Sequence, residues 1–375
     1  MTTNPRLPLP NGTIIENRYR IESILGSGAF GITYKAYDLK NNRYSALKEC
    51  IPEEFSRRGI DHVSVIPKDG LSVEDFELSK KSFINEALIL TKLKHKNLLS
   101  ANEIVSSNGT IYMDSTYLNG QNLENILDSK KKGRSVHNDD VIYILKSIAE
   151  GLKEVHKLGF IHRDIKPSNI IINDSNTPIL IDFGGARLSK SAKKTIIYSG
   201  GYAPIEQLYN NGRQGPWTDI YALGAVGYAM ITRRLPPNSS ERQLNDKIIK
   251  LSDVYAGRYN KNLLKAIDLS LEIDSRMRPQ SVDEFISILL GESSDSLPGK
   301  LHNKGDNSGK KQNLNDKTSH KINNPNIIKR LNKTVNHLSK RSYPSELPQE
   351  FLNKLCITII AVLILLLIYF ISEIN

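Results

Sequence analysis

Gly26, Gly28 and Gly31 stand in the run GSGAFG between two alternating segments, where missing Cβ atoms let backbone N–H groups approach a phosphate chain. Glycine-rich turns also simply close hairpins, so the run admits both readings. Downstream, Lys48 ends the strand pattern Ala46-Leu47-Lys48, and Glu86 on the next helical pattern offers it an ion-pair partner that would orient it toward phosphates. Taken singly, a strand lysine and a helix glutamate are more often solvated charges. The run HRDIKPSN at 162–169, followed by Asp182-Phe183-Gly184 thirteen positions after Asn169, shifts that balance, because order and spacing now agree with one phosphate-handling arrangement.

These side chains need a scaffold, and the hydrophobic patterning supplies one. RYRIESIL, GITYKAYD and RYSALKEC alternate apolar and polar positions between turn residues, predicting three antiparallel strands within 13–50. Residues 51–75 carry no period and read as irregular. Phe83, Ala87, Leu90 and Leu93 then recur at helical spacing, predicting one amphipathic helix over 79–94 beside the sheet. From about 123 the pattern turns helical, most clearly at 138–158 and 219–233, interrupted at 160–185 by short apolar runs around polar residues.

Hydrophobic content of 39% and charged content of 24% suit a globular chain with a substantial core. The net charge of +11 is concentrated at the end: residues 300–375 hold 12 Lys/Arg and 5 Asp/Glu. With Cys50 and Cys356 the only cysteines, no disulfide framework or metal cluster is indicated. The N-terminal run MTTNPRLPLPNG lacks the apolar stretch of a secretory signal, so the bulk of the chain is expected in the cytoplasm. Asn, Ser, Lys and Gly dominate 292–354, the composition of a solvated linker. Residues 355–371, LCITIIAVLILLLIYFI, carry no charge and reach the lower limit for crossing a bilayer. The alternative is a buried core helix. Basic residues before the run place the main domain on the cytoplasmic side, with 372–375 as a short tail beyond the membrane and no external sensor expected.

Residues 19–291 resemble a protein kinase domain, on the evidence of GSGAFG, the lysine strand, HRDIKPSN and Asp182-Phe183-Gly184. KECIPEEFSRR and GPWTDIYALGA resemble, more narrowly, bacterial membrane-associated serine/threonine kinases. The resemblance implies an α+β, two-lobed fold: a small antiparallel β lobe with one helix and a larger, mainly helical lobe, preceded by the extension 1–18. It implies ATP and Mg²⁺ as cofactors, with Mn²⁺ as a substitute. Asp182 and Asn169 would hold the metal, Asp164 would orient the substrate hydroxyl and accept its proton, and Lys166 would steady the γ-phosphate. The nucleotide would lie against Leu25, Gly26, Ser27, Gly28, Gly31, Thr33, Ala46, Lys48 and Glu86. By alignment Ser115 is the gatekeeper, and Thr116, Tyr117 and Leu118 line the adenine.

Arg163, next to Asp164, resembles the arginine that pairs with a phosphorylated activation loop. That loop, 185–203, offers Ser189, Ser191, Thr195 and Ser199, with Thr195 the preferred autophosphorylation site and Ser199 the second; a merely flexible basic loop is the alternative. The sequence departs from the family at Ile205, where the expected A-P-E reads Ala203-Pro204-Ile205-Glu206 with Ile205 in place of proline before the glutamate, and at Thr33, where valine is usual. By resemblance Glu206 pairs with Arg278 and Asp219 supports the catalytic loop.

The expected partners are an unidentified protein substrate, the membrane, anionic lipid headgroups against the basic linker, and a second copy in a transient homodimer. Nucleic acid is disfavoured, since Tyr343 is the only aromatic residue in 300–345. A pseudokinase scaffold would be free to lose Lys48, Glu86, Asp164, Asn169 or Asp182, and none is lost. A small-molecule kinase is disfavoured by the activation segment and by Glu206 with Arg278.

Overall fold

In the computed structural model the structure describes residues 7–70, 72–129, 136–184, 200–209 and 212–292, with the backbone of Arg187–Leu188. The N-terminal lobe contains β1 (Ile14–Ile15), β2 (Tyr19–Gly28), β3 (Gly31–Asp38), β4 (Arg43–Cys50), β5 (Ser56–Arg58), β6 (Val65–Pro67), α1 (Ser72–Lys92), β7 (Ala101–Ser107) and β8 (Thr110–Thr116). Six of the strands form one antiparallel sheet in the order β1-β2-β3-β4-β8-β7.

Period-2 alternation gives this sheet two different faces. Along β4, Ser45, Leu47 and Glu49 are fully buried on one face, while Ala46 and Lys48 point to the other. The first face packs an apolar cluster of Tyr19, Ile21, Tyr34, Ala36, Leu47 and Tyr112, closed by Leu9 and Ile15 from the N-terminal segment. Across the ladder Lys48 stands opposite Thr33 on β3 and Met113 on β8. The second face is where a ligand side chain from β4 can meet α1.

Residues 51–75 are not wholly irregular. Within them Ser56–Arg58 and Val65–Pro67 form the antiparallel hairpin β5–β6, with Arg57 opposite Ile66, and α1 begins at Ser72 rather than near 79. Strands of three residues are too short to show a period, and what fixes the hairpin is tertiary: Ser56, Arg58 and Val65 are buried on the outer face of the sheet. The earlier start of α1 has a local cause. Asp69 Oδ1 accepts the Ser72 amide at 2.9 Å, and Glu74 and Asp75 in the first turn favour the positive end of the helix dipole.

The second lobe continues with β9 (Gly120–Asn122), α2 (Leu123–Ser129), α3 (Asn138–Lys157), β10 (Phe160–Ile161), β11 (Ile170–Asn173), β12 (Pro178–Leu180) and β13 (Arg187–Leu188). It is completed by α4 (Ile205–Leu208), α5 (Pro216–Thr232), α6 (Ser239–Leu244), α7 (Leu251–Val254), α8 (Lys261–Ser270) and α9 (Val282–Leu290). In α3, Val141, Ile144, Leu145, Ile148, Leu152 and Val155 recur every three or four residues and are all buried, the stripe expected of a helix with one wet face. In α5 every residue from Thr218 to Ile231 is buried, so it is the central helix around which α3 and α8 pack. Ser281 Oγ accepts the Glu284 amide to start α9, and Gly291 ends it at φ 73° in the left-handed conformation.

Two small sheets carry the chemistry-bearing loops. β11 pairs with β12 and β9, so Asn169, just before β11, and Asp182, two residues past β12, are brought to the same end of one hairpin. Among the described residues no helix is long and apolar enough to cross a membrane. The linker and the apolar run 355–371 lie outside the described residues, as do Ser189, Ser191, Thr195 and Ser199.

Candidate active site

The glycine turn joins β2 to β3, with Gly28 opposite Gly31. Its glycines are required for different reasons. A Cβ on Gly31 would lie 2.2 Å from the Glu49 carbonyl oxygen, so packing on β4 alone demands glycine there. Cβ atoms on Gly26 and Gly28 would meet nothing within 4 Å. Their bareness serves whatever occupies the open space above them, as a phosphate cradle requires. Thr33 continues β3 on the ligand side, opposite Lys48. Leu25, where β2 enters the turn, is exposed.

Beneath this turn Lys48 Nζ stands 2.9 Å from Glu86 Oε1 and 2.9 Å from Asp182 Oδ1. Strand β4, helix α1 and the loop after β12 therefore converge on one ammonium group. Burial acts to lower the Lys48 pKa, but the two carboxylates outweigh it and hold the lysine charged. Burial raises the Glu86 carboxyl against the pull of Lys48, whereas Lys48 lowers Asp182 to about 2. Asp182 is thus a fixed anion at neutral pH, with its side chain 44% exposed to the cleft. Its φ of 62° is uncommon for a residue with a Cβ, and places strain at the point where the carboxylate turns into the site. Phe183 behind it is fully buried, its ring edge-on to His162 with centroids 4.5 Å apart.

The catalytic loop is held from below by Asp219 at the start of α5. This buried carboxylate accepts the amides of His162 at 2.9 Å and Arg163 at 2.8 Å, and lies 2.8 Å from His156 Nε2. Burial opposes ionisation, yet His156 and the Arg163 amide hold the Asp219 pKa below the usual carboxylate range. Arg163 adopts φ 71°, and its carbonyl accepts the Gln207 side-chain amide at 2.7 Å. So braced, the loop presents Asp164, whose carboxylate takes Lys166 Nζ at 3.0 and 2.9 Å and Asn169 Nδ2 at 2.9 Å. Asn169 Nδ2 also donates to the Asp164 carbonyl at 2.8 Å, so the oxygen is the atom Asn169 can offer a cation.

Asn169 oxygen and the Asp182 carboxylate suit Mg²⁺, which takes one or two protein oxygens and completes its shell with water and phosphate. Among the described residues no group of three His, Cys, Asp or Glu stands where it could hold a metal ion.

At the back of the cleft Ser115 is buried opposite Ala46, and its hydroxyl donates to the Ala46 carbonyl at 3.0 Å. Thr116 ends β8, and Tyr117 and Leu118 follow half-buried in the connection between the lobes. Lys35 Nζ lies 4.8 Å above the Tyr117 ring, a contact with no signal in the sequence. The small side chains of Ser115 and Ala46 thus face each other across the ladder at this wall.

Away from the cleft, Arg278 Nη1 and Nη2 donate to Glu206 at 2.8 and 3.2 Å, and Thr218 Oγ1 adds a bond to the same carboxylate at 3.0 Å. Both charged side chains are almost fully enclosed. Ile205, which stands in place of proline, opens α4, and Glu206 after it faces inward. Arg278→Ala would leave Glu206 buried without its cation, and the expected cost is about 3–5 kcal/mol in denaturant unfolding. The same change at Arg276, 86% exposed beside Asp274, should leave the midpoint unmoved.

His156, Gln207, Glu49 and Arg58 were not singled out in the sequence, although each is tied into the frame around the cleft. His156 sits six residues before His162 in α3, and only the fold reveals that both meet Asp219.

Comparison with known proteins agrees with this geometry. A family model described as "Protein kinase domain" matches residues 19–296. Serine/threonine-protein kinase D of Synechocystis sp. is 30% identical over 73% of this chain and 52% of its own length. A probable serine/threonine-protein kinase of Clostridium acetobutylicum, CA_C1728, is 31% identical over 60% of this chain and 31% of its own. The chain spans about half the length of the curated relatives it matches. Among solved structures, the apo form of PpkA-294 is 33% identical with a TM-score of 0.67, covering 75% of this chain and 99% of that one. The PknI kinase domain of Mycobacterium tuberculosis, 19% identical with a TM-score of 0.56 over 76% of this chain and 100% of that one, shares the fold. With a family match over most of its length and every charged position of the cleft assembled, this chain belongs to the protein kinase family.

Proposed function

We propose that the chain is a Mg²⁺-dependent serine/threonine protein kinase, transferring the γ-phosphoryl group of ATP to protein hydroxyls in bacterial signalling at a membrane. The observation that carries this reading is the convergence of Lys48, Glu86 and Asp182 beneath an open glycine turn, facing Asp164 with Lys166 and Asn169. Phosphoryl transfer asks a protein mainly for positioning and for charge opposite the phosphates. Lys48, held by two carboxylates, points its charge at the α- and β-phosphates. When bound, the metal neutralises charge on the phosphate oxygens, with Asn169 and Asp182 as its protein ligands. Asp164 orients the acceptor hydroxyl and takes its proton, while Lys166 bridges Asp164 to the γ-phosphate. Lysine two positions after that aspartate, and relatives named serine/threonine kinases, support Ser and Thr as acceptors. Labelled ATP with Mg²⁺ and a generic acceptor protein tests this: label is expected on phosphoserine and phosphothreonine and should vanish on chelation. Label confined to phosphotyrosine or to a small molecule contradicts it.

Autophosphorylation at Thr195, with Ser199 second, is supported by the basic residues around them and by Arg163 beside Asp164. Phosphopeptide mapping of the full chain after incubation with Mg-ATP is expected to find Thr195; phosphate only within 292–354 contradicts it. The membrane part of the proposal rests on the uncharged run 355–371 behind a basic linker suited to anionic headgroups. Deleting 351–375 is expected to release the enzyme from membranes in cell fractionation, and retention would contradict the anchor.

A further inference from the structure

Glu49 follows Lys48 on β4 and therefore points through the sheet to its opposite face, where it is fully buried. Arg58 of β5 grips it with both terminal nitrogens at 2.6 Å, and is itself only 5% exposed. The remaining valences are filled. Tyr34 and Tyr112 hydroxyls donate to Glu49 at 2.9 and 2.8 Å. Arg58 Nη1 also reaches the Val63 carbonyl at 3.0 Å, and Nε the Leu7 carbonyl at 2.9 Å. An apolar pair could fill this space at least as favourably, so a buried ion pair here is better explained by geometry than by stability. A guanidinium fork on a carboxylate specifies one arrangement of hairpin on sheet.

What that arrangement holds is the glycine turn. Between β4 and β5 the chain passes directly behind the turn, where the Ile51 amide donates to the Phe30 carbonyl at 3.2 Å and the Glu53 amide to the Ala29 carbonyl at 2.8 Å. Between these bonds and Arg58 the segment is tied to itself: the Ser56 amide and hydroxyl both donate to the Pro52 carbonyl, at 3.0 and 2.8 Å. A turn of glycines is conformationally loose by composition, and ordering it around a nucleotide costs affinity unless it is ordered beforehand.

We propose that Glu49 and Arg58 are positioning residues for the nucleotide, locking the β5–β6 hairpin on the back of the lysine strand so that Ile51 and Glu53 hold the glycine turn in its binding shape. The Leu7 contact draws the N-terminal segment into the same brace. This inference rests on the nucleotide site assigned above, and its test separates the two. In the full chain, Arg58→Gln should raise KM for Mg-ATP roughly tenfold, as the ordering cost returns to binding. KM for a casein acceptor should stay unchanged, and amide hydrogen exchange across 26–31 should accelerate. Arg58→Lys, which keeps the charge without the fork, should fall between. If Arg58→Gln precipitates, the double variant Glu49→Gln with Arg58→Gln, which buries no charge, carries the same readout. A melting temperature that falls while KM for ATP stays flat in any soluble variant would make the pair structural only and overturn the proposal. A wild-type chain that turns over no ATP would instead defeat the nucleotide site itself.

Discussion

Lys48→Met is expected to lower turnover by about 10²–10³ while leaving the chain folded, the scale of losing one preorganised electrostatic contact to a reacting phosphate. Methionine preserves the length and packing of the lysine stem, so the change isolates the charge. Glu86 is already pushed toward its neutral form by burial, and without Lys48 it can take up a proton rather than remain a buried anion. Asp182 behaves differently. It owes its pKa of about 2 first to Lys48 and keeps 44% side-chain exposure, so it should rise toward the usual carboxylate range yet stay ionised near neutrality. The metal ligand therefore survives the substitution, and the loss should appear in turnover and nucleotide affinity with Mg²⁺ dependence retained. Steady-state kinetics with a melting curve checks this; unaltered turnover would remove Lys48 from the phosphate site.

Asp164→Asn should cost about 10²–10⁴ in kcat, the range for removing a general base, with little change in KM for ATP. Asparagine is nearly isosteric, and the loop does not depend on the Asp164 charge for its shape: Asp219 holds the His162 and Arg163 amides from beneath, and Asn169 also bonds the Asp164 carbonyl. What disappears is the acceptor for the hydroxyl proton and the carboxylate that Lys166 straddles at 3.0 and 2.9 Å. A fall in KM-controlled binding with kcat preserved would assign Asp164 to nucleotide recognition instead.

The strands that carry Gly26 to Lys48 and the helix that carries Glu86 were legible because each buries one face and so writes a period of two or near 3.6 into the chain. The loop residues Asp164, Asn169 and Asp182 have no period, and were legible through fixed spacing and family resemblance. Neither signal reaches the β5–β6 hairpin. Arg57 and Arg58 are adjacent and chemically identical, yet Arg57 is half-buried opposite Ile66 while Arg58 is enclosed against Glu49. That difference arises from a partner nine positions earlier on another strand, which local pattern does not encode. Glu49 was hidden for the same reason: beside a lysine on a strand it reads as a solvated charge, and only the covered outer face makes it buried. His156 and Gln207 likewise acquire their roles from α5 and the catalytic loop meeting in three dimensions.

In the proposed reaction one cleft binds ATP and delivers its γ-phosphoryl group to a serine or threonine hydroxyl, with Asp164 as the proton acceptor. Transfer of label from γ-labelled ATP to an acceptor protein, compared for the wild-type chain and Asp164→Ala alongside nucleotide binding by each, tests it most directly. Phosphoserine and phosphothreonine are expected from the wild type, background label from Asp164→Ala, and nucleotide binding from both. Equal label from the two chains would contradict it.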